Sequence, residues 1–245
     1  LGRARARALA AAIFTIVVPL AARGEVSQGV HTVGAGGDYA DWKTAIDDII
    51  ERTSGPLTGD LEFIQISYIN ETTGTQSSSI DLDGHTLTLR SSLPHWGDPN
   101  GGHVLDLTTG GRGPWFDVDG PGTVVIKDLN IRRQLNAGPT GETSMIYFSD
   151  FGSADPYTIS VHDCLLNGNG YQCRGIEIDD VEATVYLWNL VAWDFAASAV
   201  DRGGEGIVLV SCRQSGGSIE SITTYDCYKG MDLAGAGGGY PAVWN

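Results

Sequence analysis

Basic side chains are scarce in this chain. Fifteen lysines and arginines face thirty aspartates and glutamates over 245 residues, a formal net charge of −15. Such a surface repels polyanions, so nucleic acid is excluded as an expected partner. Long apolar runs are missing too: none reaches the roughly 18–20 residues of a membrane span. There are four cysteines, with no CxxC or HExxH pair among them and the five histidines, which removes a zinc site from the expectations. No GxSxG, P-loop or dinucleotide fingerprint occurs either, so the standard nucleophile and nucleotide chemistries have no carrier. "VGAGGDY" and "LAGAGGGY" are glycine turns with the wrong spacing for those motifs. Helix-length periodicity is also absent after residue 60.

What is present begins with an export signal. Arg3, Arg5 and Arg7 form a basic start, Ala8 to Leu20 an apolar stretch, and Ala22-Arg23-Gly24 a small-residue cleavage site. Residues 1–24 are therefore read as a signal peptide, and contact with a membrane is expected only through it. The mature chain then keeps 11 basic residues against 30 acidic ones, a formal net charge of −19. The expected location is extracellular, periplasmic or at the cell surface. Residues 25–58 read as a lead strand and a capping helix. The helix starts near Tyr39, with Asp38 or Asp41 as cap, and Trp42, Ala45, Ile46, Ile49 and Ile50 share one face. Residues 59–245 read as strands. The end, "GAGGGYPAVWN", shows no evident cap and reads as a solenoid cut short.

Glycine is the commonest turn residue, with 34 copies, and it separates strands about five residues long. One stretch decides between architectures. In "WFDVDGPGTVVIKDLNI", residues 115–131, the turn at Asp119-Gly120-Pro121-Gly122 suits a hairpin, but the second run does not. Val124 and Ile126 share a face with Leu129 and Ile131, a step of three where a flat strand repeats every two. The step recurs at Ile159-x-Val161-His162-Asp163-Cys164 and at Val185-x-Leu187-Trp188-Asn189-Leu190, with further copies at Ile207 to Cys212 and Ile222 to Cys227. The second corner residue is Asp128, Asp163, Asn189, Ser211 or Asp226, types that favour the left-handed conformation or bond to local backbone. A chain that bends there keeps both flanking strands on one core. The corners lie 35, 26, 22 and 15 positions apart. The long interval predicts an inserted loop between Arg132 and Pro156, and the short one means that one of the last two copies sits at another corner. The fold class expected is all-β, a right-handed parallel β-helix with an N-terminal capping helix.

With an export signal, "HTVGAGGDYADWKTAIDDI" and coils such as "TVVIKDLNI", residues 30–245 resemble the parallel β-helix proteins of the pectin-lyase-like superfamily. The resemblance is one of pattern, without the catalytic signature of any one family. It implies a protein that binds polysaccharide and, as an enzyme, cleaves it as a lyase or hydrolase at a site outside the coil. A divalent cation such as calcium would bridge an acidic protein to an acidic glycan. The alternative is a non-catalytic extracellular or cell-surface adhesion module, and no oligomeric state follows from either.

The residues that best fit a site lie in "CRGIEIDDVE". With Ile176 and Ile178 inward, Glu177 and Asp179 face outward about 7 Å apart, Asp180 follows at a bend, and Arg174 is near. Glu177, Asp179 and Asp180 are the expected calcium ligands, and the same carboxylates with Arg174 are the expected catalytic groups. Asp201 and Arg202 in "WDFAASAVDRGGEG", with Asp194 and Glu205, are expected on the same wall. His162-Asp163 reads as structural, because neighbours on a strand point oppositely. Trp96, Trp115, Trp188 and Trp193 are candidates for stacking on sugar rings. Cys164, Cys212 and Cys227 occupy inward positions after a corner, and Cys164–Cys173 and Cys212–Cys227 remain as disulfide pairings.

Overall fold

The computed structural model describes residues 28–52, 56–72, 80–95, 101–108, 115–134, 144–149, 157–179, 183–196, 205–210, 216–232 and 242–244. Residues 1–24, read as an export signal, and Trp96, Asp180, Asp201, Arg202, Ser211 and Cys212 lie outside them.

The chain enters through β1 (Gly29–Val33) and a glycine turn into α1 (Trp42–Arg52). The helix starts where a side chain can stop it fraying. Asp41 Oδ1 accepts from the Thr44 amide at 2.7 Å and the Thr44 hydroxyl at 2.6 Å, an N-cap. Asp38 does other work: its Oδ2 accepts from the Thr32 amide and hydroxyl at 2.8 and 2.9 Å, closing the glycine turn. Trp42, Ala45, Ile46 and Ile49 are fully buried, as their spacing predicts. The indole of Trp42 donates to Gln65 at 3.2 Å, so the helix is tied to the first coil by a satisfied buried bond.

Six coils follow among the described residues, each touching up to three faces. They comprise β2 (Leu61–Gln65), β3 (Ile69–Glu71) and β4 (Ile80–Asp81); β5 (Thr86–Ser91), β6 (Val104–Leu107) and β7 (Trp115–Asp119); β8 (Thr123–Lys127), β9 (Asn130–Arg133) and β10 (Ser144–Ser149). Then come β11 (Tyr157–Tyr171) with β12 (Arg174–Asp179), β13 (Ala183–Phe195) with β14 (Glu205–Val210), and β15 (Gly216–Cys227) with β16 (Lys229–Asp232), before β17 (Ala242–Trp244). All pairings between these strands are parallel. The first face runs β1-β2-β5-β8 and on through the leading halves of β11, β13 and β15 to β17. The second is β3-β6-β9 and the trailing halves of β11, β13 and β15. The third is β4-β7-β10-β12-β14-β16. This is an all-β parallel solenoid with an N-terminal helix.

Between first and second faces the chain turns on left-handed residues. Asp128, Asp163, Asn189 and Ser221 have φ of 56°, 52°, 50° and 54°. Ser221 replaces the expected fourth and fifth copies: the pairings Trp188↔Glu220 and Leu190↔Ile222 put it beside Asn189. Ile207 lies instead on the third face in β14. Asp226, φ 49°, sits at a later bend beside Asp194, φ 61°, where Phe195 pairs Cys227. The step of three marks any such bend, so the pattern by itself does not number the corners. The long interval between Asp128 and Asp163 contains a strand, β10.

The turn after β7 is a corner as well. Gly120 and Gly122 have φ of 72° and 148°, and a Cβ on Gly122 would come within 2.6 Å of the His85 carbonyl oxygen. The turn stacks on residues 82–85 through Gly84 N–H to Pro121 O at 2.6 Å and Thr123 N–H to His85 O at 3.0 Å. Thus β7 joins the third face and β8 the first, and no hairpin forms.

Inside, like packs on like. Phe63, Leu89, Ile126, Val161, Leu187 and Ile219 make one fully buried ladder. Each such side chain contributes about 1.5–3 kcal/mol on burial. Cys164 takes its place beside Leu190 as a small core residue. Cys164, Cys173 and Cys227 are free thiols, so the Cys164–Cys173 pairing is not formed.

Candidate functional site

The strand alternation of β12 turns Ile176 and Ile178 into the core and Glu177 outward, as expected. Outward does not mean solvated. Glu177 is 4% exposed, Glu205 in β14 is 2%, and Ser144 and Tyr147 in β10 are 0% and 5%. Cross-strand pairing places Ser144 beside Arg174, Tyr147 beside Glu177, and Glu205 beside Lys229. A charged row therefore crosses the third face from β10 to β16, outside the coil wall yet shielded from water.

Arg174 organises it. Its Nη1 donates to Glu177 Oε1, and its Nε donates to Glu205 Oε2 at 3.3 Å. Ser144 Oγ donates to the other oxygen of Glu177. Lys229 Nζ lies 4.0 Å from Glu205 Oε1 and bonds Asp232 at 3.1 Å. Burial works against the charge on Arg174, but the two glutamates outweigh it and hold the guanidinium above its ordinary value. Removing a partner from such a set leaves a buried charge uncompensated, at a cost of about 3–5 kcal/mol. Buried ion pairs add little to stability over apolar packing.

Of the residues expected at the site, Arg174 and Glu177 meet directly. Asp179 is partly exposed at the end of β12, in register with Ser149 and Val210. Asp180, Asp201 and Arg202 lie outside the described residues. Glu205, expected on the same wall, is brought onto Arg174 by the pairing of β12 with β14. Ser144 carried no signal in the sequence. As for calcium, both oxygens of Glu177 accept hydrogen bonds, and no three His, Cys, Asp or Glu groups converge among the described residues.

In a second polar cluster, His162 and Asp163 do not point apart as strand alternation predicts. At φ 52° the Asp163 side chain leaves strand alternation and swings back to its neighbour, with His162 Nδ1 2.6 Å from Asp163 Oδ2. Asn189 Nδ2 donates to Asp163 Oδ1 at 2.5 Å, and the His95 ring bonds the Asp163 carbonyl at 2.5 Å. Burial raises the Asp163 carboxyl, but His162 and Asn189 outweigh it and hold the group below its ordinary value. His162 also stacks on Trp188, ring centroids 4.0 Å apart and 7° from parallel. Trp193 stacks on Tyr225 in the same way at 5.8 Å. Both tryptophans thus spend a ring face on a neighbouring rung. The side chain of Trp115, like Trp96, is not described.

No protein-family model matches this chain, and neither a curated protein nor a solved structure does. The class shown is that of the fold, a parallel β-solenoid.

Proposed function

We propose that this chain is an exported solenoid of the pectin-lyase-like kind that binds polysaccharide and cleaves it by hydrolysis at the third face. One observation carries the reading: Glu177 and Glu205, from adjacent rungs, converge on Arg174 outside the coil. Paired carboxylates are what glycoside hydrolysis requires. One gives a proton to the leaving glycosidic oxygen as its bond to the anomeric carbon breaks. The other takes a proton from the water whose oxygen bonds that carbon. Arg174 would hold the carboxylates in place before substrate enters. The mature charge of −19 favours a neutral glycan over an acidic one.

A second reading, a non-catalytic surface or adhesion module, is favoured by the full engagement of Glu177 by Arg174 and Ser144. The two readings separate on a glycan panel of neutral and acidic polysaccharides, incubated with calcium or with chelator. Reducing ends support hydrolysis, and unsaturated ends would point to elimination. Hydrolysis should be lost in both Glu177→Gln and Glu205→Gln. Turnover unchanged in those variants removes the pair from the chemistry, and no product on any glycan leaves the adhesion module.

A further inference from the structure

We infer that the groove over the glycine turn, at the opposite end from the last coil, is a binding subsite for an uncharged sugar. The inference rests on the glycan reading above but uses other residues, far along the chain from Glu177 and Glu205. The groove has a volume of about 520 Å³ and lies between Gly34–Asp41 and Tyr68–Asn70. That size suits a small ligand.

Its chemistry is that of a sugar site. Tyr68 is 54% exposed, the most open aromatic ring but for Tyr228 among the described large hydrophobics. Its hydroxyl donates to Asp106 Oδ2 at 2.8 Å, so the ring is held before any ligand arrives. Asp106 is itself clamped by Arg132, at 2.7 and 2.8 Å. Stacking on a ring already fixed costs little side-chain entropy. The C–H face of a pyranose is apolar and weakly positive, a match for the negative face of the ring.

Three polar groups around the groove are oriented but only half used. Asn70 Oδ1 accepts from Thr108 at 2.8 Å, which sets the amide and leaves its Nδ2 hydrogens without a partner among the described residues. Among the described residues, Asp38 bonds Thr32 through Oδ2 alone, and Asp41 bonds Thr44 through Oδ1 alone. The remaining oxygens are acceptors for ligand hydroxyls, and charge-assisted bonds of that kind are strong. Hydrogen bonds from Thr32 hold the Asp38 carboxyl below its ordinary value, so it accepts as a carboxylate. The groove lining holds two carboxylates and no lysine, arginine or histidine. A uronate or sulfated sugar is repelled there, while an uncharged one meets donors, acceptors and a flat apolar ring.

The test is calorimetric titration of the chain with neutral oligosaccharides and, separately, with oligogalacturonate. Neutral sugars should bind, and Tyr68→Ala and Asn70→Ala should each weaken binding about tenfold. Tyr68→Phe, which keeps the ring, should bind nearer to the unsubstituted chain. Circular dichroism confirms that each variant is folded. Binding of oligogalacturonate alone, or neutral binding unaffected by both groove variants, overturns the subsite. If neutral binding instead falls only in Glu177→Gln, the groove fails and the third-face reading stands. If no sugar binds at all, both fail.

Discussion

At the level of single residues, the corners set the path of the chain. A left-handed conformation costs an ordinary L-residue roughly 1–2 kcal/mol. Aspartate and asparagine reduce that cost by local bonding, and here the bonds run between rungs: Asn189 donates to Asp163. Asn189→Val should therefore lose about 1–2 kcal/mol in urea unfolding. Asn189→Gly should lose less, because it keeps the φ of 50° and gives up only the bond. A second residue-level effect concerns acid. Burial raises the Asp106 carboxyl, but bonds from Arg132, Tyr68 and Gln134 outweigh it and hold it below its ordinary 3.8. A depressed carboxylate gives stability that is full above its unfolded value and is lost as pH falls through the folded one. The gap in melting temperature between the unsubstituted chain and Asp106→Asn should thus be widest at neutral pH and shrink below about pH 4. A gap that stays constant into acid would refute this.

Among the elements, α1 shows why caps matter in a repeat. A solenoid has no natural end, and an open first coil would expose its core. The helix supplies one, with Trp42 bonded to Gln65 and the Lys43 amide donating to the buried Glu71 carboxylate at 3.2 Å. Asp41→Ala removes the cap bonds to Thr44 and should cost about 1 kcal/mol. Amide hydrogen exchange would read the change first in the opening turn of α1. The third-face row behaves differently from a cap. It links β12, β14 and β16 through charged partners and β10 through the Ser144 hydroxyl, so its loss would be felt across four rungs.

For the whole molecule, stability is additive along the stack, since each rung touches only its neighbours. No disulfide joins Cys164, Cys173 and Cys227. Burial pushes the Cys164 and Cys173 thiols up to about 12, which leaves almost no thiolate in the folded chain. Reducing agent should leave the melting midpoint unchanged. Thiol labelling at Cys164 and Cys173 should follow unfolding, so rapid labelling in native buffer would contradict the burial. The strongly acidic balance adds repulsion between copies.

Periodicity determined the architecture from sequence alone. A step of three in a two-residue repeat is a local property, and the turn at Asp128 forces it whatever lies beyond. The burial of Trp42, Ile46 and Ile49, and the outward place of Glu177, follow from the same kind of local geometry. Which rungs are neighbours is not local. Ser221 rather than Ser211 or Asp226 is the partner of Asn189, because pairing depends on how much chain each coil spends on its third face. For the same reason Ser144 and Glu205, 33 and 28 positions from Glu177, meet Arg174 only through the stacking of β10, β12 and β14. The swing of Asp163 onto His162 needed the backbone too, since alternation holds only where φ is that of a strand. Sequence set what each residue does along one coil, and tertiary structure decided what it meets on the next.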